Sequence, residues 1–271
     1  MGILSIFMNI IQTLILCGMA LVVIRRLRVS KGSVILVFFL YGIVCFMISD
    51  MYWLVMDLMY PQKRIWFGVN EIAEAGLHLL FAEILNAVFG KKDRFRAYEI
   101  VIASVYGISM TLLWIGWTSE WVKDIVGGLA LGYFVLAVIR AIRVSGALKK
   151  AEWIAVCFST GVLLALQGMI FAVPQNIGRI LDVICYAIMF TITLLIFIRA
   201  IPAVIGAYKM PSEKNAYRAL TFAMAGFAWT VSTLYMSSGS MYNAAMVTNT
   251  CVLPLMLMSV LAVEREGGTE K

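Results

Sequence analysis

Charge is scarce in this sequence. Only 14% of its residues are Asp, Glu, Lys or Arg, and 62% are hydrophobic. Soluble domains carry roughly 25% charged and 45–50% apolar residues. A soluble core of 271 residues could not hide that much apolar surface, so lipid must solvate much of it. The mean hydropathy of +0.93 points the same way.

Other absences narrow the chemistry. There is no GxSxG, Walker loop, GxGxxG or HExxH, which removes the familiar hydrolase, nucleotide-binding and zincin readings. No lysine lies in the middle of the later apolar stretches, so a retinal-type Schiff base has no candidate. Cys17, Cys45, Cys157, Cys185 and Cys251 sit inside apolar runs, without CxxC or metal-ligand spacing. They read as small packing residues. The net charge of +7 does not signal nucleic acid, because the basic residues fall between apolar spans rather than on one face. The start has no basic n-region, so no cleavable signal peptide is expected. Ile6 stands where a myristoylation pattern needs Ser or Thr.

What is present is length. A bilayer crossing takes about 20 apolar residues, and nine stretches qualify: 3–24, 34–56, 66–89, 98–117, 125–142, 153–173, 177–201, 219–236 and 241–263. The expected fold is an all-α polytopic integral membrane bundle of about nine transmembrane helices. It forms a single transmembrane domain over 1–263, with a short frayed tail at 264–271. Pro174 and Pro202 should end spans six and seven. A polar loop with Lys209, Pro211, Glu213, Lys214 and Arg218 should precede span eight, and a Ser/Gly turn over 237–240 should close a hairpin of the last two spans.

Lys and Arg alternate with the spans. All but Lys63, Arg64, Lys123 and Arg179 of the 22 fall on the side of the tail. By the positive-inside rule the N-terminus is outside and the C-terminus cytoplasmic, in a multi-pass protein of the cell (plasma) membrane. Tyr52, Trp53, Trp66, Trp114, Trp117 and Trp121 cluster near the outer ends, as an interfacial belt does. LVVIRRLRVSKG (21–32) echoes LAVIRAIRVSGA (136–147), and Phe95-Arg96-Ala97 echoes Tyr217-Arg218-Ala219. That offset describes a 4+4+1 parallel repeat: four spans, four in the same orientation, and a ninth added. Gly128 and Gly132 in span five have the small-xxx-small spacing that lets helices approach closely.

Span three is the exception to the scarcity of charge. It carries Asn70, Glu71, Glu74, His78 and Glu83, and His78 is the only histidine. Intramembrane ionisable groups are costly and mark functional sites by default. At 100° per residue, Glu71, Glu74 and His78 fall within roughly 60° on one face. Glu83 and Asn86 point to an adjacent face, deeper along the helix. Asp50 on span two, Gln167 on span six, and Arg179 and Asp182 on span seven lie at similar outer depths. Asn243 and Asn249 do so on span nine. Together they would line an outward-facing acidic pocket, with Arg179 as counter-charge to Glu71 and Glu74.

Three functions fit. The pocket binds or transports a small solute or cation. It senses an external ligand for a separate signalling partner, or within a homo-oligomer. Or Glu74 and His78, at i,i+4, share a metal for membrane-embedded catalysis; no other cofactor is implied. The outside N-terminus, odd span number and basic first loop before a Trp-containing second span resemble the multi-span sensor halves of bacterial membrane histidine kinases. That resemblance covers the first two spans, without a kinase domain or a specific motif. It implies sensing through a partner.

Overall fold

The computed structural model describes residues 3–30, 32–59, 69–90, 93–118, 121–170, 172–237 and 239–268. The expected Pro61–Arg64 turn, Lys31, Lys91, Lys92, Trp66, Glu120 and the last three residues lie outside them, as do the side chains of Asp57 and Trp117. Among the described residues the protein is all-helical, with nine helices long and apolar enough to cross a membrane. They are α1 (Ile3–Val29), α2 (Val34–Met59), α3 (Val69–Phe89), α4 (Ala97–Thr118) and α5 (Trp121–Ser145). α6 (Lys150–Ile170), α7 (Gln175–Lys209), α8 (Glu213–Met236) and α9 (Gly239–Gly268) complete the bundle.

The helix at the centre is α8. Of its span 83% is buried, against 11% for α6 and 22% for α7. Burial explains its composition. Shielded from lipid by its neighbours, α8 tolerates hydroxyl residues that answer to their own backbone. Ser232 donates to the Ala228 carbonyl at 2.7 Å, and Thr233 to Trp229 at 2.8 Å. Peripheral α6 and α7 instead present Phe158, Ile180, Val183 and Phe190 outward, the pattern lipid demands.

Around α8, helix α3 packs chiefly on α2 and α5, and α9 on α8 and α1. A chain of rings fills the middle. Phe81 of α3 meets Phe39 at 5.7 Å and Phe227 at 5.1 Å, and Phe134 of α5 meets Phe227 at 6.3 Å. Gly42 makes the room, since a Cβ there would come within 2.3 Å of the Phe81 ring.

Three helix ends differ from expectation. Pro202 does not end α7, which runs on to Lys209. The continuation packs Val204 and Ala207 into the core, and the Tyr208 hydroxyl donates to the Met258 carbonyl of α9 at 2.9 Å. Packing outweighs the hydrogen bond that proline removes. α8 starts at Glu213 rather than 219, because Ser212 caps it by accepting from the Asn215 N–H at 3.3 Å. α9 begins at Gly239, inside the expected turn, and continues to Gly268. Glu264, at the start of that extension, is held by Arg26 at 2.7 Å.

The basic ends of α1 and α5, where the sequence echo falls, have different neighbours. α1 packs along α2 and α7 along α8, but no extensive α5–α6 or α3–α4 contact corresponds. Of the five cysteines, Cys185 is fully buried and Cys251 is exposed on α9.

The α5 glycines face α4. A Cβ on Gly107 would meet the Gly128 carbonyl at 3.0 Å and the Gly132 Cα at 3.3 Å, and one on Gly128 would meet Thr111 Oγ1 at 1.8 Å. Gly107→Ala must therefore force α4 off α5 and should lower stability by about 1–3 kcal/mol. Gly116→Ala on the same helix meets nothing within 4 Å and should not. Melting temperatures of the two variants in detergent test this; equal values would mean the helices separate without cost.

Candidate functional site

The start of α3 turns Asn70, Glu71, Glu74 and His78 toward a cavity of about 220 Å³, at the end of the bundle opposite the basic loops. Asp50, Ser49 and Trp53 line it from α2, Gln12 from α1, and Trp114 from α4. Lys123 and Asp124 enter from the first turn of α5, Tyr235 from the end of α8, and Tyr242 from α9. The reason is topological. α2, α4 and α8 end here, where α3, α5 and α9 begin, so residues far apart in sequence converge at one depth.

Each acid has a different setting. Gln12 Nε2 donates to both Asp50 carboxylate oxygens at 2.9 Å, and its own carbonyl accepts from Thr250 at 2.7 Å. Asp50 is thereby tied to α1 and α9. Ser49 donates to Glu74 at 2.6 Å, and Tyr235 and Trp53 also donate to that carboxylate. Glu71 pairs with Lys123 at 2.9 Å, and the lysine side chain is only 6% exposed. The counter-charge is therefore Lys123, not Arg179. Arg179 is exposed on α7, while α3 packs chiefly on α2 and α5. Asp182 and Gln167 do not line the cavity. Gln167 is buried on α6 and bonds Cys185, with Asp182 nearby.

Five polar atoms of this lining are unanswered among the described residues. His78 is 2% exposed and lies against the Phe134 ring at 5.9 Å and the Tyr235 ring at 6.2 Å. Neither of its nitrogens has a hydrogen-bond partner among the described residues, and the same holds for Asn70 Oδ1, Glu71 Oε2 and Trp114 Nε1. Buried polar groups are nearly always paired, so this cluster of exceptions marks a place where something else supplies the partners. Deeper in α3 the contrast is sharp. Glu83 accepts from Tyr133 at 2.7 Å and from Asn86 at 3.0 Å, and Arg140 binds Asn86, so the protein itself answers these acids and amides, with Arg140 Nε left over among the described residues. Asn249, placed beside the acids from sequence, is tied to Thr230 of α8 at 2.9 Å.

A metal reading finds no geometry. Among the described residues no three His, Cys, Asp or Glu side chains are grouped to hold an ion. A second cavity, between α4, α5, α6, α7 and α8, has apolar walls around Trp153, Leu164 and Phe222, with Arg199 as a charged lining residue.

Sequence reasoning missed Gln12, Ser49, Lys123 and Asp124, and assigned Trp53 and Trp114 to the interfacial belt and Tyr235 to the core. One signal was available. Lys123 breaks the charge alternation, and a lysine on the poorly charged side needs a reason. Comparison with family models, curated proteins and solved structures finds no match.

Proposed function

We propose that the protein binds a small, positively charged solute in this cavity and carries it, or couples its movement, across the membrane. The observation that supports this most is the imbalance of the lining. Among the described lining residues, Asp50, Glu71, Glu74 and Asp124 face one cation, Lys123. Carboxyl groups crowded at low dielectric stabilise an added cation far more than water does. With the basic loops cytoplasmic, the cavity belongs to the outer half and loads from outside.

Sensing through a separate partner is the second reading, and the ring chain favours it. Phe39, Phe81, Phe134 and Phe227 fill the bundle beneath the cavity. A carrier must open that barrier in turn, whereas a sensor keeps it shut.

Two measurements test the proposal. Purified protein should gain thermal stability with at least one of sodium, potassium or methylammonium chloride, relative to an osmotically matched sucrose control. The gain should vanish in Asp50→Asn, Glu74→Gln. In proteoliposomes, uptake of the stabilising cation supports the carrier, and binding without uptake supports the sensor. No cation-specific stabilisation of the wild type rejects both.

A further inference from the structure

We infer that the solute is a small protonated primary amine; this rests on the cation reading above. The atoms unanswered among the described residues decide it. Asn70 Oδ1 and Glu71 Oε2 accept only, and neutral His78 adds one accepting nitrogen. Against them stand one N–H of His78 and the Trp114 indole N–H. The missing partner must therefore donate more than it accepts. An alkylammonium head has three N–H donors and no acceptor. Placed beside Asn70 and Glu71, neighbours at the start of α3, it answers both accepting oxygens and adds a positive charge to an acid-rich space.

The walls suit the rest of such a molecule. Phe46, Trp53, Trp114, Tyr235 and Tyr242 line the cavity. Aromatic faces attract a desolvated cation and bury its alkyl or aryl body. A space of about 220 Å³ falls below the ~300–1,000 Å³ of drug-sized sites, which limits the ligand to a short amine. A bare metal ion favours several charged ligands brought together, and no group of three His, Cys, Asp or Glu side chains is found among the described residues. A quaternary ammonium has the charge but no N–H, and would leave the Asn70 and Glu71 oxygens stranded.

The test is a ligand series on the full-length protein in detergent, read by calorimetric or thermal-shift affinity at matched ionic strength. The probes are ethylammonium, butylammonium, phenethylammonium, tetramethylammonium and potassium. At least one primary amine should bind ten-fold or more tightly than tetramethylammonium, and Asn70→Leu should weaken that amine about ten-fold. If Asn70→Leu does not fold, the wild-type ranking still decides. Tetramethylammonium binding as tightly as every primary amine overturns the inference and leaves a cation site. Binding of potassium alone overturns it equally. Binding of no cation overturns the inference together with the function it rests on.

Discussion

Lys123→Gln should be among the most destabilising single substitutions in this protein, costing roughly 3–5 kcal/mol, the usual penalty for stranding one partner of a buried pair. The lysine side chain is 6% exposed and meets Glu71 at 2.9 Å. Removing it leaves Glu71 facing Glu74, Asp50 and Asp124 with no cation among the described residues of the cavity wall. Glu71→Gln alone takes this carboxylate from the ammonium instead. The double variant removes both charges and should recover most of the loss. A double-mutant cycle in thermal or SDS-induced unfolding measures the coupling, which should be well above the roughly 0.5 kcal/mol scatter of independent sites. Additive losses would show that water screens the pair. Arg179→Gln should change stability by no more than about 0.5 kcal/mol, as exposed positions usually do. That outcome reverses the expectation from span depth alone.

The misassignment of Arg179 shows where sequence reasoning stops. Apolar length and flanking charge make nine spans legible, because a bilayer of fixed thickness reads both directly. The polar face of α3 was legible too, since i, i+3, i+4 and i+7 spacing needs no knowledge of neighbours. Which helix faces that side is a different question. Arg179 and Lys123 both sit near the same end of the bundle, and depth along the membrane normal cannot separate them. Lateral packing does, by setting α5 rather than α7 against α3. Gly107, Gly128 and Gly132 govern part of that packing, but small-xxx-small spacing identifies a close contact without naming its partner.

Helix ends were obscure for a related reason. Pro202 reads as a breaker, yet it lies inside α7, as Pro254 lies inside α9. Membrane helices accept proline where neighbours hold the rest of the turn. Tyr235 was taken as core because nothing local distinguishes a tyrosine that packs from one whose hydroxyl reaches Glu74. His78 was legible as unusual. That both its nitrogens lack partners is a property of the assembled bundle, where Phe134 and Tyr235 occupy its flanks.

Arg143→Met should rival the loss of Lys123, at the opposite end of the molecule. Arg143, in the last turns of α5, gathers three acceptors: Glu99 in the first turn of α4, Asp93 before it, and the Arg94 carbonyl at 2.9 Å. The Glu99 side chain is fully buried and also accepts from the Arg96 N–H at 2.8 Å, which fixes the entry into α4. Without the guanidinium, Glu99 is a buried carboxylate held by one backbone donor, and the expected loss is again roughly 3–5 kcal/mol. Arg143→Lys should recover only part, because one ammonium cannot fork to three acceptors. Asp93 adds a pH signature. Its hydrogen bond from Arg143 holds the carboxyl below its ordinary value of 3.8, with the Arg94 N–H and the charges of Arg143 and Arg96 acting the same way. A folded value below the unfolded one means the contribution is complete above the unfolded value and is lost as pH falls through the folded one. The melting-temperature gap between wild type and Asp93→Asn should therefore be open at neutral pH and narrow as pH falls below the ordinary carboxyl value of 3.8. A gap that stays constant over that range would show that Asp93 contributes no ionised partner, leaving Glu99 alone to account for the effect of Arg143.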